Sequence, residues 1–272
     1  AKFCKHDLVS NIVGEFPELQ GLMGAKYLLA EGYSRDIALA VLEHYLPRIA
    51  NGQLPTSNLG SILALAERVE ILVSIFAKGN RPSGSSDPYA LRRAANGLFQ
   101  IVWEMDWDIN IFEIISKYVK YLSGKFPSLR IIYSELMSHL NDFLRQRFIS
   151  LLEERQIDID IVQSVAAGNQ GIEKLLIHPL HVLIRAELLM KLRKEGKLNQ
   201  IQNVVIRVSR LAAKSDFSQH ITSPKSYVDI SLFEEKSESS MLALCESIDP
   251  IVYNLSKECY KELAHIFLKG SN

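Results

Sequence analysis

Apolar residues three and four positions apart recur through most of this 272-residue chain, whereas alternating apolar and polar runs are few. That spacing matches one face of an α-helix, and a half-buried strand would need a period of two. Residues 59–76 show it most clearly, because Ile62, Val69 and Val73 fall on one stripe while Glu67 falls off it. The pattern predicts an all-α fold.

The helical pattern becomes less regular between residues 106 and 130, and Gly124 and Pro127 mark a connection there. We place a domain boundary at this connection. The sequence thus predicts two helical domains, residues 1–125 and residues 126–272. The hydrophobic content of 47% is ample for packed cores of this size.

A loop rich in glycine, proline and serine precedes residue 87, and a helix is predicted to follow it. Asp87 is the expected N-cap, and Pro88 is expected at the first helical position, where its missing N–H costs nothing. The loop lacks the Lys-Ser/Thr ending of a phosphate-binding P-loop. We therefore interpret it as a turn that positions a helix start.

Two adjacent arginines, Arg92 and Arg93, fall early in that helix, where positive charge is unfavourable for the helix dipole. They are therefore predicted to have a partner. A carboxylate such as Glu67 or Glu70 is the preferred one, and an RNA phosphate is the alternative.

The chain has 31 basic and 31 acidic residues, but the charges are unevenly distributed. Residues 185–214 hold eight Lys and Arg against two Glu, and residues 215–262 hold four against nine acids. On the predicted helix over 198–214, a polar face with spacings of four, three and four lies opposite an apolar face. The polar face is Asn203, Arg207, Arg210 and Lys214, and the apolar face is Ile201, Val205, Val208 and Ala212. Such a row suits an RNA backbone, because each phosphate contact releases counterions, although a charged face that is only solvated remains the alternative.

The three cysteines, Cys4, Cys245 and Cys259, are far apart and form no CxxC pair. This argues against a disulfide framework and a zinc knuckle, and it favours a reducing compartment. No apolar run approaches the roughly 18 residues that span a bilayer, and the first twenty residues have no signal-peptide core. We expect a cytoplasmic protein with no membrane partner.

The adjacent pair His6-Asp7 is typical of metal-dependent HD phosphohydrolases, in which a second His and a distant acid complete the metal site. Those further ligands are not evident, so His6 and Asp7 are weak metal candidates. The preferred interpretation makes Asp7 a helix cap or hydrogen-bond partner. His178 and His181 are three apart, but Pro179 lies between them, which favours capping or core packing over metal binding. No catalytic constellation is visible in the sequence.

Four stretches carry a resemblance to a known family: EFPELQGLMG at 15–24, EHYLP at 43–47, ALAERVE at 64–70 and PSGSSDPYALRRAA at 82–95. In order and spacing they resemble the beta subunit of the bacterial, heterotetrameric type of glycyl-tRNA synthetase. The resemblance is strongest over residues 7–95 and covers most of the chain.

The resemblance implies an HD-like helical domain over 1–125 and a helical-bundle anticodon-binding domain over 126–272. Because the family's beta subunit is far longer, we expect a fragment cut within both domains. It implies a non-catalytic, tRNA-binding part of a glycine–tRNA ligase that supports ATP-dependent glycylation of tRNA(Gly). The implied partners are tRNA(Gly) and the alpha subunit, which carries the adenylate chemistry; ATP and Mg²⁺ serve the whole enzyme, and no cofactor is expected on this part. The predicted tRNA contacts are Arg207, Arg210 and Lys214, then Arg145 and Arg147, then Arg92 and Arg93.

The chain departs from the family pattern at a few positions. Glu67 and Glu70 stand where the family usually has Asp, Ser74 replaces a Gly, and Arg210 replaces an Asn. The acid swaps put any metal role of that helix in doubt. Two other functions remain open: a metal-dependent HD phosphohydrolase that uses His6 and Asp7, and a scaffold whose helices serve only subunit assembly.

Overall fold

The computed structural model describes residues 2–166, 172–214, 228–253 and 259–269. Within these ranges there are thirteen α-helices and no β-strand, which confirms the predicted all-α class. The helices are α1 (Asn11–Glu15), α2 (Leu22–Ala30), α3 (Arg35–Glu43), α4 (Asn58–Ala77), α5 (Leu91–Glu104), α6 (Ile111–Lys125), α7 (Tyr133–Glu154), α8 (Ile159–Ala166), α9 (Ile172–Ile177), α10 (Pro179–Lys194), α11 (Leu198–Ala212), α12 (Lys236–Tyr253) and α13 (Cys259–Lys269).

Short polar side chains define where several of these helices begin. Ser57 accepts a hydrogen bond from the Gly60 backbone at 3.1 Å, and Asn110 accepts one from Glu113 at 2.9 Å. Each oxygen satisfies one of the N–H groups that a helix start leaves without an intrahelical partner. Glu43 reinforces the start of α4, because its buried carboxylate accepts hydrogen bonds from the backbone N–H and the side chain of Ser57.

The predicted helix over 59–76 is confirmed as α4, one residue longer at each end. Leu72 and Val73 are fully buried, but Ile62 is 59% exposed. The predicted stripe therefore matches the buried face of α4 at Val69 and Val73 but not at Ile62.

Helix α5 begins three residues later than predicted. Its first residue is Leu91, and Ala90 before it adopts a left-handed conformation with φ of 53°. Asp87 still caps the helix, but from further upstream: its carboxylate accepts hydrogen bonds from the backbone of Leu91 at 2.8 Å and Arg92 at 2.9 Å. Pro88 therefore lies in the turn and not in the helix.

The segment with the less regular pattern contains a full helix, α6, which buries Ile111, Ile115 and Val119. It ends at Lys125, and a 3₁₀ turn over Pro127–Leu129 leads to α7. The predicted connection is thus present, although it is shorter than the irregular stretch suggested.

The chain divides into two compact units, Ala1–Leu183 and Ile184–Asn272. In the first unit α4 packs against α5, α6 and α7. Its core includes an aromatic cluster in which Phe99 and Trp103 of α5 meet Phe148 of α7, with ring centroids 5.0 and 5.2 Å from Phe148. In the second unit α13 packs against α11 and α12. The proposed division into family domains at residue 125 stays a prediction.

None of the helices in the described ranges is long and apolar enough to cross a bilayer.

Candidate nucleic-acid interface and His-Asp site

The three cations predicted on the 198–214 helix are all exposed. Arg207 and Arg210 lie on α11, and Lys214 lies in the turn that follows it, where its N–H donates to the Leu211 carbonyl at 3.1 Å. None of the three side chains lies within salt-bridge distance of an acidic residue that the structure describes. Their positive charge therefore faces solvent.

Most of the predicted apolar face of α11 is exposed as well: Val205 is 42% and Val208 56% exposed, Ala212 is exposed and Ile201 is half-buried. Two further apolar residues between the faces, Ile206 and Leu211, are 47% and 67% exposed. Leu198, at the first turn, is the buried residue of this helix. An amphipathic pattern usually indicates a buried apolar stripe. Here the apolar residues are exposed, so this helix presents two surfaces of different chemistry to solvent.

The other predicted RNA contacts lie in the first unit. Arg145 and Arg147 are half-buried on α7 and two residues apart, so they point in different directions around the helix. Arg147 donates to the Ser150 hydroxyl at 2.8 Å. The structure thus places the seven predicted arginines and lysines in both units, with Arg207, Arg210 and Lys214 forming one local group.

The ion pair predicted for Arg92 is not formed. Its guanidinium donates to the Gly84 carbonyl at 2.6 Å and so closes the loop onto the start of α5. Glu67 is paired with Lys5 instead, and Glu70 accepts a hydrogen bond from Ser74 at 3.3 Å. Arg93 is exposed.

Asp7 of the His-Asp pair is completely buried and makes hydrogen bonds within the protein. One carboxylate oxygen accepts from the Gly21 backbone at 2.5 Å, and the other accepts from the Tyr45 hydroxyl at 3.2 Å. This is the hydrogen-bonding role that the sequence favoured. It joins the turn at Gly21, where φ is 77°, to the segment after α3.

Lys5, which the sequence analysis did not single out, supplies a fixed positive charge to this site. Its ammonium contacts the Glu67 carboxylate and lies 4.1 Å from the centroid of the Tyr45 ring. His44 Nε2 lies 3.8 Å from the same carboxylate. Glu67 is the acid that could complete a metal site with the His-Asp pair, and the Lys5 ammonium already neutralises it. The arrangement therefore favours an ion pair over a metal centre.

His44 is buried, and burial lowers its pKa, an effect that Lys5 adds to and that Glu67 opposes. Its Nδ1 donates to the Val41 carbonyl at 2.6 Å. The neutral imidazole is therefore the favoured form at neutral pH. His44 lies in the EHYLP stretch that carries the family resemblance, but its burial depends on the packing of α3 against α4.

A cleft of about 300 Å³ opens beside this cluster, with Tyr45, Arg48 and Arg93 on its walls. Arg68 at its base is buried and donates to the carbonyls of Ala64, at 2.8 Å, and Leu46. Burial lowers its pKa to about 10, which still leaves it charged at neutral pH. Arg68 therefore holds the segment after α3 against α4.

The fold and these sites define the class: an all-α protein of two units, with a His-Asp site used for hydrogen bonding and an exposed basic helix. Comparison with known sequences gives the family. A family described as "Glycyl-tRNA synthetase beta subunit" matches residues 1–167. The chain belongs to this family.

Curated relatives carry the same description. The "Glycine--tRNA ligase beta subunit" of Acaryochloris marina is 43% identical over 88% of this chain and 33% of its own length. Those of Trichodesmium erythraeum and Lactobacillus delbrueckii subsp. bulgaricus are 38% and 34% identical over 99% and 87% of the chain. The chain spans about a third of the length of these relatives, 38% and 33% for the latter two.

Proposed function

We propose that this chain supplies tRNA-binding surface to a glycine–tRNA ligase and does not itself activate glycine. The observation that carries the proposal is the row of exposed cations on and after α11, Arg207, Arg210 and Lys214, without acidic partners in the described part of the chain. Membership of the glycyl-tRNA synthetase beta-subunit family makes tRNA(Gly) the RNA to test.

The chemistry of this face suits the phosphate backbone and not the bases. Each cation that meets a phosphate releases bound counterions, which gives affinity without sequence preference. Reading of RNA sequence usually needs unstacked bases on aromatic side chains, and α11 contains none. We infer that α11 contributes affinity and orientation, while selection of tRNA(Gly) rests on other surfaces of the enzyme.

We further propose that ATP and Mg²⁺ act in the alpha subunit and not on this chain. The His-Asp site supports this assignment. The Asp7 carboxylate already accepts hydrogen bonds from Gly21 and Tyr45, and Lys5 neutralises Glu67. The same contacts argue against a metal-dependent HD phosphohydrolase.

A role in subunit assembly is the second candidate, and the exposed apolar face of α11 favours it. Val205, Val208 and Leu211 form a solvent-facing strip next to the cations. Such strips commonly mark protein contacts. In this case the alpha subunit, or another part of the beta subunit, would cover the strip.

Titration of tRNA(Gly) and an unrelated tRNA against the chain tests the first proposal. The triple variant Arg207→Ala, Arg210→Ala, Lys214→Ala should bind tRNA(Gly) at least about tenfold more weakly, because it removes up to three phosphate contacts. The matched control removes three exposed lysines of the first unit, Lys26→Ala, Lys78→Ala and Lys125→Ala. Its net charge is the same as that of the basic triple variant.

Equal loss of affinity in both triple variants would show that only total charge matters and would overturn the proposed site. Absence of tRNA binding at low salt would favour assembly instead. In that case Val208→Ser and Leu211→Ser should weaken binding of the alpha subunit in a pull-down, while the basic triple variant should not.

A further inference from the structure

Three potential metal ligands from distant parts of the sequence meet in the first unit. Asp108 follows α5, whereas His178 and His181 flank the start of α10. His178 Nδ1 lies 2.8 Å from one Asp108 carboxylate oxygen, and His181 Nε2 lies 3.3 Å from the other. One ligand atom from each residue lies within 4.8 Å of the other two.

The backbone on both sides of this cluster is held in place. The buried Trp103 indole donates to the Pro179 carbonyl at 3.2 Å, which attaches the residue between the two histidines to α5. After α5, Asp106 adopts a left-handed conformation with φ of 57°, and the Trp107 N–H donates to the Val102 carbonyl at 3.0 Å. Helix α5 therefore positions all three side chains through its own C-terminal turn and through Trp103.

The cluster is anchored on one side and open on the other. His181 is buried, with 7% of its side chain exposed, whereas Asp108 and His178 are 44% and 53% exposed. Three protein ligands with an open face leave room for water as a further ligand. That is the arrangement of open zinc sites in proteins.

We propose that Asp108, His178 and His181 bind a divalent transition metal, with Zn²⁺ as the preferred ion. Imidazole nitrogen and carboxylate oxygen are both established zinc ligands in proteins. Two ligands of one tetrahedral zinc are about 3.4 Å apart, given bond lengths of about 2.0–2.2 Å. The observed separations of 2.8 and 3.3 Å run to the two different oxygens of Asp108, and all three ligand atoms lie within 4.8 Å of one another, so side-chain rotation has to bring them to this spacing around the ion.

The bound ion links the start of α10 to the connection between α5 and α6. A ligand that binds only the folded state raises stability by mass action, so Zn²⁺ stabilises the first unit. This inference does not depend on tRNA binding, which involves α11.

Isothermal titration of Zn²⁺ into chain stripped of metal by a chelator tests the proposal, with a thermal melt as the second readout. We expect one saturable site and a rise in Tm with added Zn²⁺. Asp108→Asn and His178→Ala each remove a direct ligand and should weaken Zn²⁺ binding by at least about tenfold, the lower end of what the loss of an outer-shell partner alone costs a metal site. Asp108→Asn is nearly isosteric, and circular dichroism of both variants confirms that they fold.

Two controls separate this site from adventitious binding. His265→Ala removes an exposed histidine of α13 and should leave Zn²⁺ affinity unchanged. Co²⁺ in place of Zn²⁺ reports the ligands, because thiolate coordination gives an intense near-ultraviolet absorption that nitrogen and oxygen ligands do not. Three results would overturn the proposal: no saturable Zn²⁺ binding, Zn²⁺ binding by the Asp108 and His178 variants as tight as that of the unsubstituted chain, or a thiolate signal that persists in these variants.

Discussion

At the scale of single residues, the His-Asp pair shows how a residue type associated with metal chemistry is used for structure. The Asp7 carboxylate accepts two hydrogen bonds in a fully buried position, from Gly21 and Tyr45. A buried carboxylate without such donors would be costly. The pair therefore stabilises the contact between α2 and the segment after α3.

Substitution of Asp7 by Asn should destabilise the protein by about 1–3 kcal/mol, because an amide N–H₂ would replace one of the two acceptors and face a donor. Urea unfolding at pH 7 measures the change. Asp142→Asn, an exposed change on α7, should alter the free energy of unfolding by less than about 0.5 kcal/mol. Equal effects of the two substitutions would contradict the role assigned to Asp7.

His44 should make the protein less stable in mild acid. Since burial lowers its pKa, the unfolded chain takes up a proton on this histidine at a higher pH than the folded protein does. The free energy of unfolding should therefore fall as the pH drops below about 6.5, the ordinary value for histidine, towards the lowered folded pKa. Lys5, Glu67 and Asp7 are the charged groups that act on it, and the burial effect outweighs the two carboxylates.

Urea unfolding at pH 7.5 and pH 5.5 measures this loss. His44→Asn keeps a donor for the Val41 carbonyl but cannot titrate, so it should show a smaller loss of stability between the two pH values. His265→Ala serves as the control and should leave the pH dependence unchanged. A wild-type protein with the same pH dependence as His44→Asn would contradict the assignment.

At the scale of secondary structure, the close contact of α5 with α4 depends on Gly97. A Cβ atom there would lie 2.7 Å from Arg68 Nε and 3.2 Å from the ring of Pro47. Arg68 is held by backbone carbonyls and cannot easily move aside. Glycine is therefore retained within α5 despite its low helix propensity.

Gly97→Ala should lower the free energy of unfolding by about 1–3 kcal/mol, the range typical of overpacked cores. Gly124→Ala is the matched control, because Gly124 also lies in a helix but a Cβ atom there would have no neighbour within 4 Å. It should raise stability by about 0.5–1 kcal/mol through helix propensity alone. Chemical denaturation compares the two, and opposite signs are the expected result.

At the scale of the whole molecule, a chain with equal numbers of basic and acidic residues concentrates positive charge in residues 185–214. The total charge gives no long-range attraction for nucleic acid, so binding must depend on the local group Arg207, Arg210 and Lys214. Such binding remains sensitive to salt because each contact displaces counterions.

The logarithm of the tRNA association constant should therefore fall with the logarithm of salt concentration, and the basic triple variant should have a shallower slope. Loss of three phosphate contacts should reduce the slope by about 2 to 3. Fluorescence titration at several salt concentrations measures it. An unchanged slope in the triple variant would show that these residues do not contact phosphate.

Local sequence patterns were informative where structure depends on neighbours along the chain. The period of α4 and the capping role of Asp87 were predictable, because they depend on contacts within about five residues. The start of α5 was missed by three residues, since the left-handed Ala90 has no sequence signal that outweighs the Asp-Pro pair. Similarly, the periodicity of α11 indicated an apolar stripe but not whether another helix would cover it.

The sequence by itself determined the helical class, the connection near residue 125 and the resemblance that the comparisons bear out. These follow from periodicity and motif spacing, which are properties of the chain read in order. Only the tertiary structure placed Lys5 against Glu67, and Asp108 between His178 and His181. Residues some 60 or 70 positions apart meet because helices pack, and that packing is set by the shape of the whole core rather than by any local pattern.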